Sequence, residues 1–246
     1  MHNPRQSNRV RLLPVVSLLL VCGVLLLGPL GCASDTGEAD DGIAPNRSAS
    51  LDAVTSDGRD WPRIVALGDS LTAGLGLSAD EAYPARLQER LDAEGHRLRI
   101  VNAGTSGDTT AGGLRRLDFV LDGESEVRVL IVALGGNDGL RGLPVDQMRD
   151  NLARIIVSAQ ERGAQVLLAG MEAPPNFGLE YTSAFREVFN GLVADHDVVH
   201  VPFLLEGVAG VSELNQSDGI HPNAEGAERV AGHLWTFLRP MLQDAP

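Results

Sequence analysis

The sequence predicts an α/β protein with a central parallel sheet of about five strands and helices on both faces. Three observations carry this. Short runs rich in Val, Ile and Leu alternate with longer segments along residues 61–246. One run, VRVLIVAL at 127–134, is almost wholly apolar, as a strand covered on both faces requires. The longer segments place their apolar residues at helical spacing.

Taken in order, the first strand is RIVAL at 63–67, and a helix over 83–93 follows, with Leu87 and Leu91 one turn apart. Strands are expected at 98–101 and 127–134. The spacing of Met148, Leu152, Ile155, Ile156 and Ala159 predicts a helix over 145–161, with Gly163 placed to end it. AQVLLA at 164–169 reads as a strand, and Phe185, Val188, Phe189 and Leu192 stripe a helix over 183–194. VVHV at 198–201 is the last strand, and Val230, Leu234, Phe237, Leu238 and Met241 mark a closing helix over 224–242. In such sheets ligands sit at the carboxyl ends of the strands.

Residues 1–31 are read as outside this domain. Arg5, Arg9 and Arg11 precede an apolar run from Leu12 to Gly31, the order of a secretory signal. The run is also about long enough to span a bilayer. Pro29-Leu30-Gly31-Cys32 resembles a bacterial lipobox, with Pro29 where an aliphatic residue is usual, so Cys32 is the expected site of lipid attachment. Residues 32–60 are rich in Ser, Asp, Gly and Ala without apolar periodicity, and read as a flexible tether. The expectation is an exported protein, lipid-anchored to a bacterial membrane and facing the periplasm or exterior.

Composition narrows the function. The formal charge is −13, and every basic residue is Arg. So acidic a chain is a poor match for nucleic-acid phosphates or, unaided, for anionic lipid. Aromatic residues are 4% of the chain, too few for a stacking platform. The two Cys both lie within the first 32 residues, which leaves the domain without a disulfide framework or thiolate metal site. No His pair has HExxH spacing, and the Gly68–Gly76 stretch has neither Walker nor GxGxxG spacing.

Four short blocks fall just after strands or before the last helix. Ser70 in GDSL follows the first strand, where a Ser is either a helix cap or a nucleophile. Gly107 in SGDT lies in a loop after the second strand, where its backbone N–H can approach a reacting carbonyl closely. Asn137 in GGNDG follows the most apolar strand; the segment is a plain turn or carries an amide donor for an oxyanion. In DGIHP, Asp218 can reach the imidazole of His221 and fix its tautomer, while Pro222 restricts the His backbone. Asp69 and Asp138 flank these residues and are read equally as caps or participants.

Together the blocks resemble the SGNH, or GDSL, hydrolase family, in that family's order. Longer stretches (GDSLTAGLG, NAGTSGDTTAGGLRRL, LGGNDGLRG, PPNFG, YTSAF and SDGIHPN) are similar to its bacterial acyl-CoA thioesterase, lysophospholipase and arylesterase branch, over about residues 62–242. The resemblance implies a flavodoxin-like three-layer sandwich. It also implies a serine hydrolase acting on acyl esters or thioesters through an acyl-enzyme, with no cofactor or metal. Ser70 would be nucleophile, His221 general base and Asp218 its partner, with Ser70, Gly107 and Asn137 as oxyanion hole. Leu140, Leu143 and Phe177, in loops after the third and fourth strands, are expected to bind the acyl chain. A monomer is expected. Rival readings are a polysaccharide or cell-wall deacetylase on the same fold, and a lipid-anchored binding protein without turnover.

Overall fold

A computed structural model describes residues 60–123 and 125–243. The expected signal, Cys32 and nearly all of the tether lie outside these residues. The elements are β1 (Arg63–Gly68), α1 (Ser70–Ala73), α2 (Tyr83–Ala93), β2 (Arg99–Gly104), α3 (Thr110–Arg115), α4 (Leu117–Leu121), β3 (Val127–Ala133), α5 (Gly136–Leu140), α6 (Val145–Glu161), β4 (Gln165–Ala169), α7 (Gly178–Asp195), β5 (Val199–Val201) and α8 (Ala224–Gln243), with 3₁₀ turns at Pro175–Phe177 and Ser212–Leu214.

The five strands form one parallel sheet in the order β2-β1-β3-β4-β5. Every residue of β1 is buried, and so are the last five residues of β3 and the last four of β4, as apolar runs covered on both faces should be. Helix α2 packs on α8, while α3 and α7 pack on α6, which makes the helical layers of a three-layer sandwich. The apolar stripes read from the sequence are buried: Leu87 and Leu91 in α2, Met148 to Ala159 in α6, Phe185 to Leu192 in α7, and Val230, Leu234, Leu238 and Met241 in α8, where Phe237 is only partly buried. Among the described residues, no helix is long and apolar enough to cross a membrane.

Register positions the site. Gly68 pairs with both Gly104 and Ala133, so β1, β2 and β3 end at one level. The chain leaves β1 for β2 on one side and returns to β3 on the other, which opens a crevice at these ends.

Besides the short helices α1, α4 and α5, three elements differ from the sequence reading. β2 continues through Asn102-Ala103-Gly104, residues expected in a loop. Helix α7 starts at Gly178, five residues before the expected start and about two turns before its apolar stripe, and Tyr181 adds a ring that packs tilted against Phe185. The segment TAGGLR forms α3 despite two glycines, which disfavour helix by about 1 kcal/mol each relative to Ala. Packing explains it: a Cβ at Gly113 would lie 2.3 Å from Leu134 Cδ1, so only a glycine lets α3 approach that side chain.

Candidate active site

Ser70 is the first residue of α1. Asp69 caps this helix, its Oδ1 accepting from Leu71 N–H at 3.0 Å, and the buried Thr72 and Tyr83 hydroxyls bond at 2.8 Å beneath it. This four-residue turn directs Ser70 toward the loop before α8, 151 residues on. Ser70 Oγ lies 2.8 Å from His221 Nε2, and His221 Nδ1 lies 2.7 Å from Asp218 Oδ2.

Asp218 also accepts the N–H groups of Ile220 at 2.9 Å and His221 at 3.0 Å through Oδ1. These two backbone bonds, then the imidazole, pull its pKa down to about 2. An ionised carboxylate only accepts, so Nδ1 of His221 carries the proton and Nε2 is left to accept from Ser70 Oγ–H. Gln216 holds the loop: its N–H donates to His221 O at 2.8 Å, and its side-chain amide donates to Leu75 O at 2.7 Å and Pro222 O at 3.0 Å. Nothing in a lone Gln marks such a bridge in the sequence.

Asn137 lies in the first turn of α5, a short helix where a turn was one expectation. Its Nδ2 donates to Asp69 Oδ2 at 3.1 Å, which fixes the amide plane and leaves the second Nδ2 hydrogen for another acceptor. Asp69 is only 2% exposed, and burial raises its pKa to about 6 against the hydrogen bonds from Leu71 and Asn137. Asp138 is turned away: it accepts from Thr110 N–H at 2.9 Å and Thr110 Oγ1 at 2.7 Å, tying α5 to α3.

Gly107 occupies the turn after β2, with φ +83°. The base of the turn is tied to β1 by Thr105 N–H to Gly68 O at 3.0 Å and by Arg116, whose Nη2 donates to Gly68 O at 2.9 Å and whose Nε donates to Asp108 at 2.6 Å.

Ser70, Gly107, Asn137 and His221 all border one open cavity of about 570 Å³. Its other walls are mostly apolar, with Leu71, Leu75, Met171, Pro174, Phe203 and Ile220 among them. Leu140 lines it and is 47% exposed, whereas Leu143 and Phe177 are not in the lining. Phe177 packs on Tyr181 with ring centroids 5.3 Å apart, and Leu143 accepts the Tyr181 hydroxyl at its carbonyl, 2.8 Å away. The loop after β4, expected at the pocket, reaches it through Pro174 and Pro175, and sequence reasoning missed the Met171–Ala173 stretch just before them. Among the described residues no group of three His, Cys, Asp or Glu side chains could hold a metal ion. His233 Nε2 donates to Phe203 O at 3.1 Å, and partial burial lowers the pKa of His200; neither imidazole is in the cavity lining.

Comparison with known proteins gives one answer. Residues 66–229 match the GDSL-like lipase/acylhydrolase family. The chain is 44% identical over 179 residues to "Esterase TesA" of Pseudomonas aeruginosa, covering 73% of this chain and 89% of that one. It is 36% identical to "Thioesterase 1/protease 1/lysophospholipase L1" of Escherichia coli, over 73% and 84%. The crystal structure of a psychrotrophic esterase from Pseudoalteromonas sp. inhibited by monoethylphosphonate superposes with a TM-score of 0.70 at 34% identity, over 74% of this chain and 99% of that one.

Proposed function

The chain belongs to the GDSL-like lipase/acylhydrolase family and is an ester hydrolase, and we propose that it cleaves acyl esters and thioesters through an acyl-enzyme on Ser70. The observation that carries this reading is the Asp218–His221–Ser70 chain, with links of 2.7 and 2.8 Å, opening on an apolar cavity. Ser70 Oγ attacks the carbonyl carbon as its proton passes to His221 Nε2, and Asp218 stabilises the imidazolium. The developing oxyanion is met by the Ser70 N–H, the Gly107 N–H and the free Nδ2 hydrogen of Asn137. The Ser70 N–H opens α1, where no intrahelical acceptor exists. Collapse breaks the bond to the alcohol or thiol, which takes the proton from His221. Water then attacks the acyl-enzyme by the same route and releases the acid.

The lining supports acyl groups as the recognised part. Leu140, Leu75, Met171 and Ile220 offer apolar surface, and among the described residues no Arg side chain lines the cavity, so nothing there marks a strongly anionic leaving group as the recognised part. One chain supplies the whole site, consistent with action as a monomer. The arginines and apolar run before Cys32 support export and lipid attachment there, with substrates met at or near a bacterial membrane.

Ser70→Ala tests the assignment. The variant should fold with an unchanged melting temperature and lose p-nitrophenyl butyrate hydrolysis by about 10⁴-fold or more. A phosphonate should label wild-type enzyme at Ser70 alone. Turnover within tenfold of wild type, or labelling elsewhere, sinks the reading. For the anchor, radiolabelled palmitate should enter the wild-type protein and not Cys32→Ser; absence of label from wild type removes that part.

A further inference from the structure

The three oxyanion donors are not held alike. Ser70 is backed by the buried Thr72–Tyr83 pair, and Asn137 by Asp69 and by the anchoring of its neighbour Asp138 to Thr110. Gly107 sits at the tip of a turn in which Thr105, Ser106 and Gly107 itself are all exposed. The base of that turn is fixed, with Asp108 N–H bonded to Thr105 O at 3.0 Å, but the tip has no side chain of its own to pack. A Cβ built there would have a single non-neighbouring atom within 4 Å, Nη2 of Arg141, at 3.7 Å. Glycine also rotates about φ at less cost than any other residue, so its N–H is the donor with the most freedom to turn aside.

Arg141 makes two bonds that bear on this. Its Nη2 donates to Gly107 O at 2.8 Å, and its own backbone N–H donates to Asn137 O at 3.2 Å as the cap of α5. One residue therefore reaches from the helix that carries the Asn137 amide to the peptide that follows the Gly107 N–H. Arg141 is exposed and does not line the cavity, so neither core packing nor acyl contact explains its placement.

We infer that Arg141 is a positioning residue that locks the exposed Gly107 turn to the Asn137 helix, so that two of the three oxyanion donors keep a fixed separation. The inference rests on the oxyanion set proposed above. Donors preorganised for developing charge act on the transition state and leave ground-state binding largely alone.

The test is Arg141→Ala in the full-length enzyme. Its kcat should fall on the order of 10- to 100-fold, less than or comparable to the loss of a whole donor, with KM within about twofold. The loss should be equal on acetyl and octanoyl esters, and the rate of phosphonate labelling should fall in proportion. Millimolar guanidinium should restore part of the variant's activity, and Arg141→Lys, which keeps a cationic donor for the single bond to Gly107 O, should lose less than Arg141→Ala. Unchanged kcat overturns the inference. So does a loss confined to long acyl chains, which would make Arg141 part of the acyl wall. So does a lowered melting temperature with a loss that guanidinium leaves untouched. An inactive Ser70→Ala beside an unimpaired Arg141→Ala would remove only the role of Arg141; an active Ser70→Ala would remove the oxyanion reading itself.

Discussion

The turn after β1 and the loop before α8 each bring one carboxylate to the site, and folding treats the two in opposite ways. Asp218 is 46% exposed at its side chain, accepts two backbone N–H groups and the imidazole, and has its pKa pulled down to about 2. Asp69 is buried, with two hydrogen-bond donors, and its pKa rises to about 6 because desolvation outweighs them. Hydrogen bonds win where water still reaches the group, and burial wins where it does not. Asp218 is thus a permanent anion matched to an imidazolium. Asp69 is an anion kept at a cost to the fold, and what it returns is the orientation of the Asn137 amide.

Asp218→Asn should break the first half of that comparison most severely. The amide preserves shape but can present N–H to Nδ1 and so favour the wrong tautomer. The expected loss in kcat is about 10²- to 10⁴-fold, measured on p-nitrophenyl butyrate at pH 8, with the far-ultraviolet spectrum unchanged. A loss below tenfold would show that the exposed carboxylate is dispensable and that the backbone of the loop alone fixes His221.

Asp69→Asn addresses the other half, and its signature is a pH dependence. The folded-state pKa lies above the unfolded value, so the folded protein binds the extra proton between about pH 4 and 6. The destabilising contribution is absent below the unfolded value, grows with pH and is complete above about 6. From 3.8 to about 6 this amounts to roughly 3 kcal/mol. Asn carries no such charge, so the melting temperature of the variant minus that of wild type should rise from pH 4 to pH 7. Meanwhile kcat should fall roughly tenfold as the Asn137 amide loses its anionic acceptor. A stability gap that does not move with pH would mean Asp69 is not ionised at a cost. Asp218, whose pKa is depressed, predicts the reverse sign: its contribution is present above pH 4 and is lost as pH falls toward 2.

The same two regions show what the sequence discloses. Strands and site blocks were legible because apolar runs end in Gly-rich turns, and β1, β2 and β3 end in register where those turns begin. Asp218 was legible because its partner lies three residues away. The capping role of Asp69 was legible too, but its bond to Asn137 was not, nor were Gln216 and Arg141, since each of these acts through a bond to a distant loop: Asn137, Leu75 and Gly107 respectively. Helix α3 was hidden by Gly112 and Gly113, whose low propensity is overridden by close packing, of Gly112 against Asp108 and of Gly113 against Leu134. Leu143 and Phe177 were expected in the acyl wall on the basis of apolar character and loop position. Neither property reports which way a side chain faces: Phe177 packs on Tyr181, the Leu143 carbonyl receives the Tyr181 hydroxyl, and neither residue is in the cavity lining.

The smallest expected effects sharpen that last distinction. Leu140 lines the cavity and is half exposed, so its truncation removes surface that only a long acyl chain can cover. Leu140→Ala should lower kcat/KM on octanoyl esters by roughly 1–2 kcal/mol of transition-state binding and leave acetyl esters nearly unchanged. Leu143 is partly buried, away from the cavity, and its carbonyl receives the Tyr181 hydroxyl. Leu143→Ala keeps that carbonyl but loosens the segment between Gly142 and α6, so melting temperature should fall slightly and all chain lengths should suffer alike. The two profiles differ in shape, which makes the comparison independent of expression level or active fraction. Equal losses on acetyl and octanoyl esters in Leu140→Ala would place the acyl chain elsewhere, against Met171 and Ile220. Chain-length selectivity in Leu143→Ala would show that the loop turns over when substrate binds and presents Leu143 to the cavity.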